Sequence, residues 1–244
     1  MNINNHSVIG DIVAQNFKTA EIFRSYGVDF CCKGNRALDD LAKSENLDIS
    51  KLIMELESLS SANGNTSIDF KSWPLDLLAD YIEKTYHRYI EEKTPIINEY
   101  LTKICNVHGQ RHPELHKIHE IFVASTTDLY SHMKKEENIL FPYIRQMVAD
   151  DRNNLAFRAP GFGSIKNPIN MMMEEHLTEG DRYREISTLS NIYTPPADAC
   201  NTYLVTYGML NEFELKLHEH IHLENNILFP SAIKFEEILA NKLN

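Results

Sequence analysis

The sequence has few of the features that mark membrane or secreted proteins. None of its apolar runs approaches the roughly 20 residues that a helix needs to cross a bilayer, so we expect no membrane span. The first residues, MNINNHSVIGDIVAQ, contain no basic segment followed by an apolar stretch, and this lack of a secretory signal predicts a cytoplasmic location. Only four cysteines occur, and two of them are adjacent, which does not indicate a disulfide framework.

Basic residues are also scarce relative to acidic ones. The 244 residues contain 24 Lys and Arg against 35 Asp and Glu, a formal net charge of −11 at pH 7. Binding to a nucleic-acid backbone depends on clustered Lys and Arg, so we expect no nucleic-acid partner. Strand patterns are almost absent, whereas apolar residues make up 43% of the chain, which is ample for a packed core. The sequence predicts an all-α protein.

The N-terminal quarter predicts a small helical domain. Apolar residues over 8–26 recur at three- and four-residue spacing, which predicts one helix, and Gly27 stands where a left-handed C-terminal cap belongs. Two further short helices are expected at about 37–44 and 49–60. We place this domain at residues 1–62.

A second domain is expected at 73–244. The Ser-, Asn- and Gly-containing segment 60–72 has no periodicity, which is typical of a linker. Beyond it, long amphipathic stretches predict a four-helix bundle. Pro142 and Pro230 should distort the second and the fourth helix near their ends, because proline clashes with the preceding turn. The four stretches run over about 75–106, 113–149, 168–190 and 197–228, followed by a short helical tail to about 240.

Two segments of the predicted bundle nearly duplicate each other. The pattern H-x-x-x-E-x-N-I-L-F-P begins at His132 and again at His220, with its glutamates at Glu136 and Glu224. A His and a Glu four residues apart lie on one helix face with about 5–6 Å between their Cβ atoms, so both can reach one point in a bundle interior. This spacing alone is also that of an ordinary helix-stabilising pair. The duplication in one register favours a functional site.

Each of these helices follows one that carries a single candidate histidine. His87 precedes His132 by 45 residues, and His176 precedes His220 by 44. A four-helix bundle with this order brings four imidazoles and two carboxylates to one centre. Apolar residues flank both glutamates, and burial of an unpaired carboxylate costs on the order of several kcal/mol, which a bound metal would offset.

The donor types predict the metal. Imidazole and carboxylate without thiolate suit iron better than a structural zinc, and manganese stays open as the alternative. Bridging carboxylates would hold two ions, and the six side chains with an oxo or hydroxo bridge would supply about ten bonds where two octahedral ions want about twelve. Roughly one open position per ion would remain for a small ligand such as dioxygen or nitric oxide.

Other histidines and acids are weaker candidates. His218 and His222 stand two residues from His220 and should point away from its face. A histidine group near a helix junction is expected to be solvated, with an accessory or iron-entry role as the alternative. Its members are His108, His112, His116 and His119. Three acids are either partners of the imidazole N–H groups or plain surface charges. They are Asp128, Glu137 and Glu175.

These motifs resemble a known family. The order His, HxxxE, His, HxxxE over 73–240 is similar to that of hemerythrin-like di-iron bundles. The segments Thr19 to Phe23 (TAEIF) and Asp29 to Gly34 (DFCCKG) resemble the N-terminal module of the iron-sulfur cluster repair di-iron proteins, the RIC family. The resemblance implies a cytoplasmic, homodimeric stress protein with two iron ions per chain, which helps to restore iron-sulfur clusters damaged by nitric oxide or hydrogen peroxide. The metal ligands that it implies are His87, His132, Glu136, His176, His220 and Glu224.

Three functions are open for such a centre. In the first, which we prefer, the protein is a repair factor that supplies iron to damaged iron-sulfur proteins. In the second, it is a module that binds nitric oxide or dioxygen and signals through the N-terminal domain. In the third, it is an enzyme that reduces nitric oxide. The same six ligands would serve all three, so the sequence leaves open whether the protein is an enzyme.

The adjacent Cys31 and Cys32 lie between the expected first helix and Gly34. This thiol pair could accept iron, react with nitric oxide or contact a damaged cluster, and the alternative is that it packs the small domain. We assign it a thiol role as a hypothesis. Cys105 and Cys200 are expected to be inert.

Overall fold

The computed structural model describes residues 3–44, 47–62 and 68–242. Within these ranges the regular secondary structure is helical, and the only strand-like pairing is an isolated antiparallel bridge between Val8 and Ala37. The all-α prediction is therefore confirmed. None of the helices in these ranges is both long enough and apolar enough to cross a membrane.

Short helices form the N-terminal part of the chain. They are α1 (Ile9–Gln15), α2 (Thr19–Ser25), α3 (Leu38–Ser44) and α4 (Ile49–Ala62). The single helix predicted over 8–26 is wrong, because the chain turns at Asn16. The Asn16 side-chain oxygen accepts a hydrogen bond from the Lys18 N–H at 3.2 Å, which competes with continuation of the helix. Gly27 has a φ of 70°, as predicted for a left-handed cap.

Four long helices follow close to the predicted positions. They are α5 (75–108), α6 (114–152), α7 (Lys166–Leu189) and α8 (201–241). The last helix begins later than predicted, after the segment Thr194-Pro195-Pro196, and it includes the predicted tail without a break. Of the predicted linker, residues 63–67 lie outside the described ranges, and Phe70–Ser72 forms a short 3₁₀ turn.

Three of the long helices contain a π-helical turn. These turns are Glu83–His87 in α5, Glu136–Leu140 in α6 and Glu224–Leu228 in α8. In the last two, the N–H of Phe141 bonds to the carbonyl of Glu136, and the N–H of Phe229 bonds to that of Glu224. Proline comes next in both helices and has no N–H to donate, so the wider turn accommodates the distortion that the sequence predicts. Each repeat glutamate therefore opens a π turn.

The N-terminal helices pack directly on the bundle. One buried apolar cluster contains side chains from 3–56 together with side chains from 90–221. At its edge, the Arg24 guanidinium on α2 donates a hydrogen bond to the buried Glu214 carboxylate on α8 at 2.7 Å. The first helices are thus held against α8, the helix that carries the second HxxxE pair.

Candidate metal centre

The six side chains predicted from the repeat converge in the bundle interior. One comes from α5, two from α6, one from α7 and two from α8, and none is more than 3% exposed. Their nitrogen and oxygen atoms form two groups, within each of which the atoms lie no more than 4.8 Å apart. The first group is His87, Glu136, His220 and Glu224. The second group is His132, Glu136, His176 and Glu224. The two groups share both carboxylates.

Glu136 directs its two oxygens toward different histidines. Its Oε2 lies 3.4 Å from His87 Nε2 in the first group, and its Oε1 lies 3.4 Å from His132 Nε2 in the second. The carboxylate therefore stands between the groups with one oxygen for each. This is the arrangement that a carboxylate needs to bridge two metal ions.

Glu224 repeats this arrangement from the opposite helix. Its Oε1 lies 3.0 Å from His220 Nε2 in the first group, and its Oε2 lies 3.2 Å from His176 Nε2 in the second. The Nε2 atoms of His176 and His132 lie 3.0 Å apart, so two ring nitrogens face the same point. The duplicated motif has folded into a duplicated site.

Several buried polar atoms of this site lack hydrogen-bond partners within the protein. Both oxygens of Glu136 and of Glu224 are unpartnered, as are the Nε2 atoms of His87 and His220. Leaving such groups unsatisfied costs roughly 1–3 kcal/mol each, and more for charged ones. Metal ions would satisfy all of them at once, since the unpartnered atoms are lone-pair donors that point at two common centres. The site therefore fits a metal centre.

Three of the four imidazoles are oriented by a second bond from their other nitrogen. His87 Nδ1 bonds to Glu137 at 3.1 Å, and His132 Nδ1 bonds to Glu175 at 2.8 Å. These two acids are thus imidazole partners, whereas Asp128, the third acid considered, pairs with Arg182. Such bonds hold the ring so that Nε2 points into the site.

Asn225 provides the third orienting bond, and this role was not predicted from the sequence. His176 Nδ1 bonds to Asn225 Oδ1 at 2.9 Å. Asn225 directly follows Glu224, just as Glu137 follows Glu136, so the register of the repeat contained the signal.

His220 is held differently from the other three histidines. Its Nδ1 has no hydrogen-bond partner, and the ring of Tyr86 stacks on it at 5.8 Å with an interplanar angle of 8°. Tyr86 directly precedes His87 in the sequence, and Glu175 directly precedes His176. Tyr86 and Glu175 therefore occupy equivalent positions in the two repeats. The two repeats therefore supply the same kinds of candidate ligand atoms, but different side chains contact their imidazoles.

The buried carboxylates and imidazoles of the site shift one another's pKa values. Burial alone would raise the pKa of Glu136, but the imidazoles of His132 and His87 hold it well below its usual value. Burial lowers the pKa of His220, so this ring is neutral and its lone pair is free. Burial alone would also lower the pKa of His132, yet Glu136 raises it to about 10, so this ring holds a proton that a bound metal ion would have to displace. Anionic carboxylates and a neutral imidazole are the forms that bind metal.

Family comparisons agree with this geometry. A family model described as "Hemerythrin HHE cation binding domain" matches residues 78–232, and the ScdA_N model, a domain of unknown function, matches residues 5–60. An iron-sulfur cluster repair protein ScdA from Staphylococcus haemolyticus is 30% identical over 93% of this chain and 98% of its own length. The chain belongs to this family of iron-sulfur cluster repair proteins.

Further family members share similar coverage. An iron-sulfur cluster repair protein YtfE from Musicola paradisiaca is 33% identical over 93% of this chain and 96% of its own length. Another, from Yersinia pseudotuberculosis, is 35% identical over 90% of this chain and 93% of its own length. The resemblance deduced from the motifs is confirmed, and it extends over both parts of the chain.

The two adjacent cysteines of this family member differ in their surroundings. Cys31 is buried, and its hydrogen bond with Cys32 together with burial raises its pKa well above the usual value. Cys32 is half-buried, and its backbone N–H donates to Asp29 Oδ1 at 2.9 Å. Both are free thiols, and their sulfurs lie 3.8 Å apart. With Asp29 they form a third group of atoms within 4.8 Å of one another.

Residues 29–32, here called the cysteine turn, are hydrogen-bonded to His176 and Asn225 of the candidate metal centre. The Cys32 thiol donates to the carbonyl oxygen of His176 at 3.3 Å, and Asn225 Nδ2 donates to the carbonyl of Cys31 at 3.3 Å. A Cβ added to Gly180 would lie 3.3 Å from the Cys32 sulfur, so a glycine on α7 makes room for the thiol. The Cys32 thiol thus contacts the backbone of His176, and Asn225 links the ring of His176 to the carbonyl of Cys31.

The neighbouring histidines of α8 serve packing. His218 and His222 flank the site as predicted and pack against Phe30 at ring distances of 6.0 and 6.1 Å. Burial lowers the pKa of His222 to about 4, so this side chain is neutral. Both join the cysteine turn to α8.

Proposed function

We propose that this protein repairs damaged iron-sulfur proteins with iron from a carboxylate-bridged di-iron centre. The names of the similar proteins refer to iron-sulfur cluster repair. The observation that carries the proposal is the pair of buried carboxylates, Glu136 and Glu224, each of which turns one oxygen toward each of two histidine groups and has no other partner.

Two iron ions per chain fit the two groups. One would be held by His87 and His220, the other by His132 and His176, and the two carboxylates would bridge them. Iron suits nitrogen and oxygen donors without thiolate, and manganese is the alternative. Bound iron supplies redox chemistry and open positions for nitric oxide or dioxygen.

The side chains around the ligands orient them and exclude water. Glu137, Glu175 and Asn225 hold three of the imidazole N–H groups, so the Nε2 atoms of these three rings are preorganised. Phe141 stacks on His87 at 5.6 Å, and Phe229 stacks on His176 at 6.0 Å, so apolar rings shield two of the imidazoles. In such a site the loss of one bridging carboxylate would remove a ligand from both groups and release at least one iron.

Cys32 is the thiol that we propose for iron transfer. It is less buried than Cys31, it lies next to the Asp29 carboxylate, and its sulfur touches the backbone of His176. A thiol and a carboxylate beside a ligand helix could receive iron or meet the damaged cluster of a client protein. Cys31, with its raised pKa, would keep this turn packed.

A sensor function is the second candidate. Asn225 bonds both to the ring of His176 and to the carbonyl of Cys31, so a ligand that moves this ring would also act on the N-terminal helices. Reduction of nitric oxide would use the same six ligands. A cytoplasmic location and a homodimer, which the family resemblance implies, belong to the same proposal.

The decisive experiment removes the bridges one at a time. Glu136→Gln and Glu224→Gln keep the side-chain volume but remove a charge, and Glu120→Gln on the exposed face of α6 is the matched control. We expect two irons per chain in the parent and the control, at least one iron fewer in each bridge variant, and loss of repair of a nitric-oxide-damaged cluster enzyme. Full iron content and unchanged spectra in both bridge variants would contradict the ligand assignment, and normal repair by metal-free protein would contradict the function.

A further inference from the structure

A cysteine far from the metal centre has its own partner. Cys200 stands at the N-terminal cap of α8 and is exposed. It precedes His220 by 20 residues, which at 1.5 Å per residue is about 30 Å along the helix. It was expected to be inert, whereas its surroundings favour a reactive thiol.

His108 is the partner of this thiol. Its Nε2 lies 3.2 Å from the Cys200 sulfur, and its Nδ1 has no hydrogen-bond partner. The side chain closes α5 and is only 6% exposed, so the prediction that this histidine is solvated is wrong. The buried His108 imidazole therefore makes a single hydrogen bond, and its partner is the exposed sulfur of Cys200.

The backbone of α8 also favours the thiolate. The Cys200 side chain makes no capping hydrogen bond, but its sulfur lies at the start of α8, where the free N–H groups of the first turn form the positive end of the helix dipole. The hydrogen bond with His108, followed by the influence of the nearby N–H groups of Tyr203 and Thr202, lowers the pKa of Cys200 to about 7. Much of the thiol is therefore ionised at neutral pH.

The neighbouring loop holds this pair in place. Asp198 accepts hydrogen bonds from His112 at 2.9 Å and from Arg111 at 3.1 Å, and the Tyr203 ring packs edge-on against His108 at 5.4 Å. The titratable or charged groups around the thiol are His108, Arg111, His112, Glu114, Asp198 and Tyr203. The imidazole and the sulfur are thus preorganised by contacts between the ends of α5 and α8.

We propose that Cys200 is a reactive thiolate that exchanges with low-molecular-weight disulfides. The thiolate attacks one sulfur of the disulfide, a new S–S bond forms as the old one breaks, and the departing thiolate leaves with the electron pair and takes a proton from water. Cys200 is thereby oxidised to a mixed disulfide while half of the reagent is reduced to a thiol. In the described part of the chain no other cysteine sulfur is within hydrogen-bonding distance of Cys200, so the mixed disulfide would persist as a reversible cap.

A pH profile of alkylation tests the thiolate. The full-length protein is treated with iodoacetamide between pH 5 and 10, and the rate at Cys200 is read by peptide mass spectrometry. We expect half-maximal reactivity near pH 7 in the parent, and a midpoint moved toward the ordinary thiol value of about 8.5 in His108→Gln. A parent midpoint at 8.5 or above, or an equal midpoint in a folded His108→Gln variant, would overturn the proposal.

Oxidised glutathione tests the exchange itself. At pH 7 we expect a mixed disulfide at Cys200 in the parent and in Cys105→Ser, whose thiol is buried, and none at this position in Cys200→Ser. Absence of the adduct in the parent would refute the exchange. The iron content should be the same before and after modification because the sites are about 30 Å apart, so this result does not depend on the outcome for the bridging glutamates.

Discussion

Asn225 and Glu137 perform the same task in the two halves of the site. Each follows a repeat glutamate, and each bonds to the Nδ1 of the histidine on the preceding long helix. Glu137 could be predicted as an imidazole partner because it is an acid, whereas the amide at the equivalent position, Asn225, was not predicted. An amide oxygen accepts a hydrogen bond as a carboxylate oxygen does, but it adds no charge. Each histidine group still contains one imidazole that bonds to a carboxylate, His87 to Glu137 and His132 to Glu175, so Asn225 adds orientation without a further charge.

Replacement of Asn225 should weaken metal binding without removing a ligand. In Asn225→Ala the His176 ring loses its orienting bond, and we expect metal affinity to fall by about 10- to 100-fold, measured by competition with a chelator. The control is Asn226→Ala, whose side chain contacts Cys31 and His222 but no ligand-type nitrogen or oxygen of the site. Equal weakening in both variants would show that packing, and not ring orientation, is the cause.

Residue-scale contacts between distant positions were the hardest to predict. The thiol of Cys200 meets His108 across 92 residues, and Tyr86 stacks on His220 from another helix. Neither pair leaves a local pattern in the sequence. Helical spacing shows which residues lie on the same face of one helix, but it does not show which residues of another helix pack against that face. By contrast, His132 and Glu136 could be paired from spacing alone.

At the scale of elements, the helices were predictable and their interruptions only in part. Pro142 and Pro230 correctly indicated distortions, which take the form of π turns that begin at Glu136 and Glu224. The break at Asn16 was missed, although asparagine commonly bonds to the backbone two residues ahead. Apolar periodicity continues across that break, so periodicity by itself could not reveal it.

Two glycines in different elements should respond in opposite ways to the same substitution. A Cβ at Gly34 would lie 2.4 Å from the carbonyl oxygen of Phe30 and 2.6 Å from Asn226 Oδ1, so Gly34→Ala must shift backbone. We expect a loss of about 1–3 kcal/mol in the free energy of unfolding, measured with urea. Gly208→Ala in α8 meets nothing within 4 Å and should stabilise the protein by about 0.5–1 kcal/mol. Destabilisation by both variants would contradict this reasoning.

At the scale of the whole molecule, the N-terminal helices and the bundle share a core. The ion pair between Arg24 and Glu214 crosses that boundary, with the Glu214 side chain only 4% exposed. Burial raises the pKa of Glu214, and the nearby guanidinium of Arg24 opposes that shift. A charged carboxylate is tolerated there because its partner comes from the other part of the chain.

Removal of Arg24 should therefore cost stability in a pH-dependent way. A carboxyl whose pKa is raised on folding stabilises the fold below its unfolded pKa of about 4.3, and this contribution is lost as pH rises through the folded pKa. Arg24→Ala raises that folded pKa further, so its deficit in the free energy of unfolding should be larger at pH 8 than at pH 5, by about 1–3 kcal/mol at the upper end. The exposed Arg158→Ala is the control, and a deficit independent of pH would argue against a role for the Glu214 charge.

The sequence by itself determined the helical class, the long helices and the six side chains of the candidate centre. It could do so because helical spacing and an internal repeat are patterns that can be identified in the amino-acid sequence itself. Only the tertiary structure decided which oxygen faces which histidine, that the turn carrying Cys32 touches His176, and that Cys200 meets a buried imidazole. Those contacts depend on how helices approach one another, which is set by packing over the whole molecule.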